Sequence, residues 1–306
     1  MHVPVLKEEV LELLGLKKGY KVIDATLGLG GHSEEILKAI GETGHLYAFE
    51  QDERNLKVAQ ERLGPYQNQI TYFHTNFVSL KTCLMDHGVS SVDAVLFDLG
   101  LSSPHVDNPE RGFSFKKSGP LDMRYDQRQR LAASEIVNSW SENDLVEIFS
   151  KYGEERASKK VAREIISRRK EKPFDDTLEL ATFIGLVKRG IPEKKDPATN
   201  VFQAIRIAVN DEIAVLTDAL NQAFEVLVSG GRMAVISYHS LEDRITKNIF
   251  RDYSKDIEDP NEPFINKILR LKMGMLITKK PVSPSDKEIL ENPRSRSAKL
   301  RVIEKL

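Results

Sequence analysis

Acidic side chains stand at the ends of three apolar runs of this sequence, at Asp24, Glu50 and Asp98. A glycine-rich turn at residues 28–31 follows the first of these runs. Carboxylates neutralise cationic ligands and accept hydrogen bonds from hydroxyl and amine groups, and glycines let a ligand lie directly against the backbone. This combination predicts a binding site for a nucleotide-like cofactor.

The segment KVIDATLGLGGHS, residues 21–33, is typical of a strand, a glycine turn and a helix that Ser33 would cap. A dinucleotide site needs the spacing G-x-G-x-x-G, which is absent because His32 and Ser33 follow the glycines. The layout D-x-x-x-G-x-G, which begins at Asp24, instead suits S-adenosylmethionine, whose ammonium and sulfonium groups are positively charged. A tight turn that binds no ligand is the alternative.

Further candidate residues follow the next predicted strands. Glu50 lies about 20 residues after the glycine turn, where a doubly wound sheet binds the ribose hydroxyls of an adenosine. Phe77 follows a third strand at residues 70–74, so its ring either borders the adenine or belongs to the core. A fourth strand, predicted for residues 92–101, delivers Asp98 to the same edge of the sheet, where it would face the cofactor. An aspartate that only caps a turn is the alternative for Asp98.

Composition limits the class of protein. The 306 residues carry a net charge of −1, with 40% hydrophobic and 30% charged residues, which describes a soluble globular chain of about two domains. The single cysteine, Cys83, argues against a disulfide or a cysteine zinc cluster, and the sequence predicts no metal site. The sequence also has no long apolar run and no signal pattern. We therefore expect a cytoplasmic protein without a membrane partner.

The alternation of strands and helices stops between residues 106 and 200. A long loop rich in Arg and Asp comes first in this interval, and predicted helices follow it. A helix from residue 201 and a strand that ends in SYHS then resume the sheet pattern. We predict a Rossmann-like α/β sheet formed by residues 1–105 and 201–306, with an all-helical insertion at residues 106–200.

Positive charge is concentrated in one predicted helix of the insertion. Residues 151–172 hold nine basic and four acidic side chains, a local balance of +5. Most basic helices are simply solvated faces. In an insertion attached to a cofactor-binding sheet, the same helix could bind the phosphates of a nucleic acid. Both interpretations are open from the sequence.

Eight motifs occur in order along the chain: VIDATLGLGGHS, VLFDLGLSSP, NPERGFSF, GPLDMRYD, YGEERASKKVAREI, PATNVFQAIRIAVNDE, ISYHSLEDR and NPRSRSAKLRV. Together they resemble the bacterial small-subunit (16S) ribosomal RNA cytosine-N4 methyltransferases of the MraW type, across nearly the whole chain. The resemblance implies a methyltransferase domain that uses S-adenosylmethionine and is split by a helical substrate-recognition insertion. It also implies methylation of the exocyclic N4 amine of a cytidine in the decoding region. We expect the RNA to be recognised within an assembled or nearly assembled small subunit, and free RNA is the alternative. The oligomeric state stays open, and a homodimer is one of the alternatives.

The same resemblance implies a set of cofactor-binding residues: Gly30, Gly31, His32, Glu50, Phe77, Asp98 and His105. Among these, His32 and His105 follow from the resemblance alone, whereas the glycine turn, Glu50, Phe77 and Asp98 are also predicted from the strand ends.

The chain departs from the family pattern at several positions. Leu29 interrupts a run of glycines, and Glu50 stands where an aspartate is frequent. Asp196 and Asn200 occupy positions where the family commonly has His and Arg. The Asp-or-Asn, Pro, Pro, aromatic tetrapeptide of amino-methyltransferases is replaced by DLGL at residues 98–101.

The exocyclic nitrogen of cytosine is a poor nucleophile because its lone pair is delocalised into the ring. We predict that Asp98 accepts a hydrogen bond from this amine and directs the lone pair toward the sulfonium methyl. Asp122, Arg124 and His239 are further predicted catalytic residues, which would hold the base and its phosphate. For Arg124, a salt bridge within the loop is the alternative.

Other classes of protein compete with this interpretation. A nicotinamide dehydrogenase would need the missing third glycine. A DNA or small-molecule amine methyltransferase would share the sheet without requiring the basic insertion, and an amine methyltransferase that acts on another RNA is a further alternative. A non-catalytic assembly factor would bind the ribosomal subunit and transfer no methyl group.

Overall fold

The computed structural model describes residues 4–192, 195–258 and 268–306. The chain divides into two compact units. Unit 1 consists of residues 1–100 and 214–306, and unit 2 consists of residues 101–213. The helical unit 2 is therefore longer at both ends than the insertion predicted for residues 106–200.

All strands among the described residues belong to unit 1. They are β1 (Lys21–Asp24), β2 (His45–Phe49), β3 (Ile70–Phe73), β4 (Val92–Asp98), β5 (Leu227–Ser237), β6 (Ile257–Glu258), β7 (Ile268–Arg270), β8 (Gly274–Leu276) and β9 (Lys299–Lys305). Seven of them form one sheet in the order β3-β2-β1-β4-β5-β9-β8. The strands from β3 to β5 are parallel, and β9 is antiparallel to both β5 and β8. Strands β6 and β7 form a separate antiparallel pair.

Helices flank the sheet and make up unit 2. In unit 1 they are α1 (Lys7–Leu14), α2 (Gly31–Ile40), α3 (Glu53–Arg62) and α4 (Leu80–Asp86). Unit 2 contains α5 (Ser103–Asp107), α6 (Ala133–Ser139), α7 (Glu142–Lys151), α8 (Ser158–Arg168), α9 (Thr177–Val187) and α10 (Thr199–Asn210). The chain continues with α11 (Glu212–Val226), which lies almost entirely in unit 1, and with α12 (Ser240–Tyr253) and α13 (Asp286–Glu291). None of the helices in the described ranges is both long and apolar enough to cross a membrane.

Both faces of the sheet are buried, as continuous apolar strands require. Val22 and Leu96 belong to a core that includes side chains of α1, α2 and α3. Ile23 and Phe97 point the other way, into a core that includes side chains of α4, α11 and α12. The chain thus has helix layers on both faces of a mainly parallel sheet, and the prediction of a Rossmann-like α/β fold is confirmed.

Unit 2 has a hydrophobic core of its own, built from helices α6 to α10. Ser141 caps α7 with a capping box, as its position before an apolar helix predicts. The helix predicted from residue 201 breaks at Asp211, whose φ of 48° lies in the left-handed region and separates α10 from α11. The break near residues 210 and 211 predicted from the sequence is therefore confirmed.

Two local predictions are wrong. Gly30, with a φ of 78°, is the N-cap of α2, and Ser33 lies inside the helix, where its hydroxyl donates to Asp24 Oδ2 over 2.7 Å. Strand β4 ends at Asp98 rather than at residue 101. The chain then continues into α5, whose first turn contains Pro104, a position that favours proline.

Candidate active site

The candidate site of unit 1 lies at the carboxyl edge of the parallel strands. Asp24, Glu50 and Asp98 end β1, β2 and β4 or directly follow them. The strand order reverses between β1 and β4, and doubly wound sheets bind their ligands at such a switch point. The strand order therefore brings to one edge the three acids that are widely separated in sequence.

The turn between β1 and α2 depends on glycine. Gly28 and Gly30 have φ values of 53° and 78°, in the left-handed region that other residues rarely adopt. A Cβ at Gly30 would lie 3.1 Å from Leu63 Cδ1, and one at Gly31 would lie 2.9 Å from Pro4 Cγ. These contacts explain why small residues stand at both positions.

Glu50 holds the glycine turn against the end of β2. Its Oε2 accepts a hydrogen bond from the Gly28 backbone N–H over 3.0 Å, and its Oε1 accepts one from the Asp52 N–H over 2.8 Å. Burial raises the pKa of Glu50 to about 8, although the two backbone N–H groups favour the charged form. A ligand that donates further hydrogen bonds to Glu50 would therefore stabilise its carboxylate.

Asp24 accepts two hydrogen bonds within the same turn. Its Oδ1 accepts from the Thr26 N–H over 3.1 Å, and its Oδ2 accepts from the Ser33 hydroxyl. Burial raises the pKa of Asp24 above its ordinary value. The acid of the D-x-x-x-G-x-G layout thus links β1 to the first turn of α2.

Asp98 contacts residues of three different segments of unit 1. Its backbone N–H donates to Thr26 Oγ1 over 2.6 Å, which fixes the end of β4 beside the glycine turn. Its Oδ2 lies 3.7 Å from His32 Nε2, and its Oδ1 accepts a hydrogen bond from the Tyr238 hydroxyl over 2.8 Å. The side chain of Asp98 retains 24% of its exposure, so it is sheltered but accessible.

Tyr238 is absent from the predicted site. It directly follows β5, the parallel neighbour of β4, and the carboxyl ends of neighbouring parallel strands lie side by side. That rule, applied to the SYHS sequence after β5, would have placed Tyr238 at the same edge of the sheet as Asp98. A weaker indication existed for Thr26, namely its position between β1 and the glycine turn.

His239 and Phe77 have well-defined surroundings in unit 1. His239 precedes α12, and its Nε2 lies 3.0 Å from Glu242 Oε1. Glu242 Oε2 also accepts from the backbone N–H groups of Tyr238 and His239, over 2.8 and 3.2 Å. Phe77 packs edge-on against Phe97 of β4, with ring centroids 5.5 Å apart. A catalytic role for His239 and an adenine contact for Phe77 stay predictions.

His105 belongs to an aromatic cluster of unit 2. Its ring lies 4.9 Å from that of Phe113 and 5.1 Å from that of Tyr125, and its Nδ1 is 2.9 Å from the Ser102 hydroxyl. The side chain is buried. Contact of His105 with the cofactor stays a prediction from the family resemblance.

Asp122 and Arg124, also in unit 2, bind each other. Arg124 Nε and Nη2 donate to the two oxygens of Asp122 over 2.9 and 2.7 Å, and Arg124 Nη1 donates to the Gln129 carbonyl over 2.9 Å. Burial alone would raise the pKa of Asp122, but these bonds and the charge of Arg124 hold it below its ordinary value. The salt bridge that was the alternative for Arg124 is present, and catalytic roles for both residues stay predictions.

The loop that carries this pair is tightly held within unit 2. Met123 has a φ of 61°, and its carbonyl accepts from Asn210 Nδ2 over 2.8 Å. The buried Arg111 donates to the Arg124 carbonyl over 3.0 Å. A Cβ at Gly112 would approach the Pro120 carbonyl oxygen to 2.3 Å. These contacts hold Met123 in a backbone conformation that residues other than glycine rarely adopt.

The groups at the sheet edge fit the predicted cofactor. Glu50 and Asp98 offer oxygen acceptors for hydroxyl and amine groups, and a cationic ligand bound beside Glu50 would favour the charged form of this acid, whose pKa burial raises to about 8. At Gly28 the space that a Cβ would fill is nearly open, with only the Thr26 carbonyl oxygen 3.8 Å away, so a ligand can lie against the backbone there. The geometry of the turn differs from a pyrophosphate site because an acid, Glu50, occupies the Gly28 N–H. A cationic ligand without phosphate suits this arrangement better than a dinucleotide.

Comparison with known proteins agrees with this assignment. The model of the MraW methylase family matches residues 1–306. The chain belongs to the MraW methylase family. It is 46% identical over 309 residues to the ribosomal RNA small subunit methyltransferase H of Streptococcus equi subsp. equi (strain 4047). The alignment covers 100% of this chain and 98% of that protein.

Among solved structures, SMU.1697c of Streptococcus mutans, determined in complex with SAH, shares 14% identity at a TM-score of 0.45, over 100% of both chains. An rRNA methylase of Streptococcus thermophilus shares 13% identity at a TM-score of 0.42, over 98% of this chain and 93% of the other. The family assignment rests on the match along the whole chain and makes this protein a methyltransferase, for which S-adenosylmethionine is the methyl donor.

Proposed function

We propose that this MraW-family methyltransferase methylates the exocyclic N4 amine of a cytidine in the decoding region of small-subunit ribosomal RNA. The observation that carries the proposal is the Asp98 carboxylate beside the glycine turn, which accepts a hydrogen bond from the Tyr238 hydroxyl and lies 3.7 Å from His32 Nε2. The choice of ribosomal RNA is supported by the name of the relative that is 46% identical. The choice of a cytidine and of its N4 atom rests on the family resemblance.

Different residues of unit 1 would bind the cofactor and act on the substrate amine. Glu50 and the backbone of Gly28, Gly30 and Gly31 would hold the adenosine part of S-adenosylmethionine. The cofactor supplies an electrophilic methyl group on a sulfonium. Asp98 accepts a hydrogen bond from the substrate amine, which turns the nitrogen lone pair out of conjugation and toward that methyl. As the new N–C bond forms and the C–S bond breaks, the amine loses one proton, which Asp98 accepts directly or through water.

Substrate RNA requires cationic contacts, and α8 of unit 2 offers them. Seven cations of residues 151–172 are exposed: Lys151, Arg156, Lys159, Lys160, Arg163, Lys170 and Lys172. Arg168 donates a hydrogen bond to Glu179 inside the unit. Arg169 donates to the backbone carbonyls of Val137 and Trp140. One of the four acids, Glu155, is buried against Lys188. With Arg168 and Arg169 engaged in these contacts and Glu155 buried, seven basic and three acidic side chains of residues 151–172 remain, and this still positive balance supports binding of RNA phosphates.

The test offers labelled S-adenosylmethionine and three substrates: purified small subunits, free small-subunit RNA and DNA. We expect methyl transfer to the RNA substrates, and mass spectrometry of digested RNA should place the label on the N4 atom of one cytidine. Label in DNA, or on another atom of the base, would instead support the alternative, an amine methyltransferase acting on DNA or on another RNA. The comparison of subunit with free RNA identifies the state of assembly that is recognised.

Asp98→Ala tests the assigned chemistry. We expect the affinity for S-adenosylmethionine to stay within about tenfold of the wild type, while methylation is abolished, because Asp98 acts on the amine. Asp93→Ala is the matched control, since Asp93 lies in the same strand and accepts a hydrogen bond from the Lys21 N–H. Equal loss of binding and methylation in Asp98→Ala would make Asp98 a cofactor ligand only.

A further inference from the structure

Tyr238 connects the ends of two neighbouring strands through its side chain. Its hydroxyl donates to Asp98 Oδ1 over 2.8 Å, while Asp98 Oδ2 lies 3.7 Å from His32 Nε2. The two oxygens of this carboxylate therefore have different partners. Rotation of the carboxylate about its Cβ–Cγ bond would break the Tyr238 hydrogen bond, and bonds to charged acceptors in sheltered sites are stronger than neutral ones.

The tyrosine is itself held in position. Its backbone N–H donates to Glu242 Oε2 over 2.8 Å, which fixes the chain between β5 and α12. Its ring packs over Gly100, where a Cβ would lie 2.7 Å from Tyr238 Cε2 and 2.9 Å from Tyr238 Cζ. The DLGL sequence after β4 thus needs glycine at residue 100 so that the ring from the adjacent strand can reach Asp98.

We propose that Tyr238 is a positioning residue for methyl transfer, which fixes the rotation of the Asp98 carboxylate so that the substrate amine meets it in one orientation. This inference rests on the proposed function, in which Asp98 accepts the hydrogen bond of the amine. Tyr238 acts through Asp98, and its contribution is to turnover rather than to the affinity for either substrate.

The charged surroundings of the pair determine how pH should affect it. Ionisable groups face it from several elements: His32 of α2, Asp24 of β1, Glu242 of α12 and Glu288 of α13. Burial, and then the charge of Asp98, raise the pKa of Tyr238 well above its ordinary value, so the hydroxyl stays protonated and can donate throughout the neutral range. Without this donor, Asp98 is easier to protonate, and a protonated Asp98 no longer accepts the amine hydrogen bond.

Tyr238→Phe tests the inference with the full-length protein. We expect kcat at neutral pH to fall by about 10- to 100-fold, with KM for RNA and Kd for S-adenosylmethionine changed by less than about threefold. The acid limb of the kcat profile should move up by about one pH unit, since one stabilising bond to the charged form is lost. Tyr253→Phe is the matched control, because its hydroxyl bonds to Asn221 Oδ1 over 3.0 Å in the same unit, and it should change none of these quantities.

Gly100→Ala gives a second route to the same state, because the added methyl displaces the ring while leaving the tyrosine in the sequence. It should reproduce both the loss of kcat and the shift of the acid limb. Loss of kcat in Tyr238→Phe without any shift of the acid limb would overturn the positioning role. Asp98→Asn distinguishes failure of the proposed function from failure of the positioning role. Wild-type turnover in Asp98→Asn would refute the proposed function. Loss of activity in Asp98→Asn together with wild-type kinetics in Tyr238→Phe would refute only the role of Tyr238.

Discussion

Glu50 links ligand binding to stability at the scale of a single residue. Its carboxyl group binds two backbone N–H groups, yet burial raises its pKa from 4.5 to about 8. A carboxyl whose pKa is higher in the folded than in the unfolded chain binds its proton more tightly when folded. Its contribution to stability is therefore fully present below the unfolded pKa and is lost as pH rises toward the folded pKa.

We expect the unfolding free energy of the ligand-free wild type to decline between about pH 5 and 8, and Glu50→Gln to remove about 1–4 kcal/mol of this decline. Thermal melts of both proteins across this pH range measure the difference, and the raised pKa of Asp24 cancels because both proteins retain it. Glu61→Gln, at an exposed position, is the control. Identical pH dependence in Glu50→Gln and the wild type would contradict the raised pKa.

At the scale of secondary structure, the start of α2 depends on a residue that can adopt the left-handed region. Gly30 caps this helix with a φ of 78°, and a Cβ there would also meet Leu63. We expect Gly30→Ala to lower the unfolding free energy by about 1–2 kcal/mol and to weaken binding of S-adenosylmethionine, because the turn must change shape.

Gly185 provides the matched control for Gly30→Ala. It lies inside α9, and a Cβ there would meet no atom within 4 Å. Gly185→Ala should raise the unfolding free energy by about 0.5–1 kcal/mol, since alanine has the higher helix propensity. Denaturant titration measures both variants. Equal effects of the two substitutions would show that the conformation of Gly30 is not what the turn requires.

Helix α8 is the second element whose role can be tested. Lys159, Lys160 and Arg163 are exposed on it, opposite the buried Val161 and Ile165. Replacement of these three cations by glutamine should weaken RNA binding and reduce the slope of log K against log salt by about 2, because each phosphate contact on single-stranded RNA contributes about 0.7. Filter binding at several salt concentrations measures this slope.

Three exposed lysines of unit 1, Lys279, Lys280 and Lys287, are the control for the α8 variant. Their replacement by glutamine changes net charge by the same amount and should leave the salt dependence within error of the wild type. A similar loss in both triple variants would mean that α8 contributes only general charge.

At the scale of the whole molecule, each compact unit has its own hydrophobic core. Unit 2 also contains a fully buried ion pair between Lys188 Nζ and Glu155 Oε2, 2.6 Å apart, and Lys188 Nζ donates to the Pro197 carbonyl. Removal of one partner leaves an uncompensated buried charge, which typically costs about 3–5 kcal/mol.

We expect Lys188→Met to increase hydrogen exchange in α7 and α8 of unit 2, while the amides of β1, β4 and β5 keep their protection. The double replacement Lys188→Met with Glu155→Leu should recover much of the lost protection, since no buried charge remains. Hydrogen exchange followed by mass spectrometry compares the two variants. Equal loss of protection in both units would show that the chain unfolds as one cooperative structure.

The sequence by itself determined the five parallel strands, most helices and the three acids at the sheet edge, but not the short strands β6, β7 and β8. Buried parallel strands are continuous apolar runs, and helix ends carry capping residues such as Ser141, so both are local signals. Asp98 and Glu50 were predictable because each follows such a run. Ser33 was misassigned as a cap because its hydroxyl bonds instead to Asp24, on the preceding strand.

Only the tertiary structure decided which partners these groups have. Tyr238 and Asp98 are 140 residues apart in the chain, and they meet because β4 pairs with β5 and Gly100 leaves room for the ring. Likewise, the sequence left open whether Arg124 binds phosphate or forms a salt bridge, and the fold of the loop pairs it with Asp122. Periodicity and residue type report on each segment's own burial, whereas hydrogen bonds between distant segments depend on strand order and packing, which no local pattern encodes.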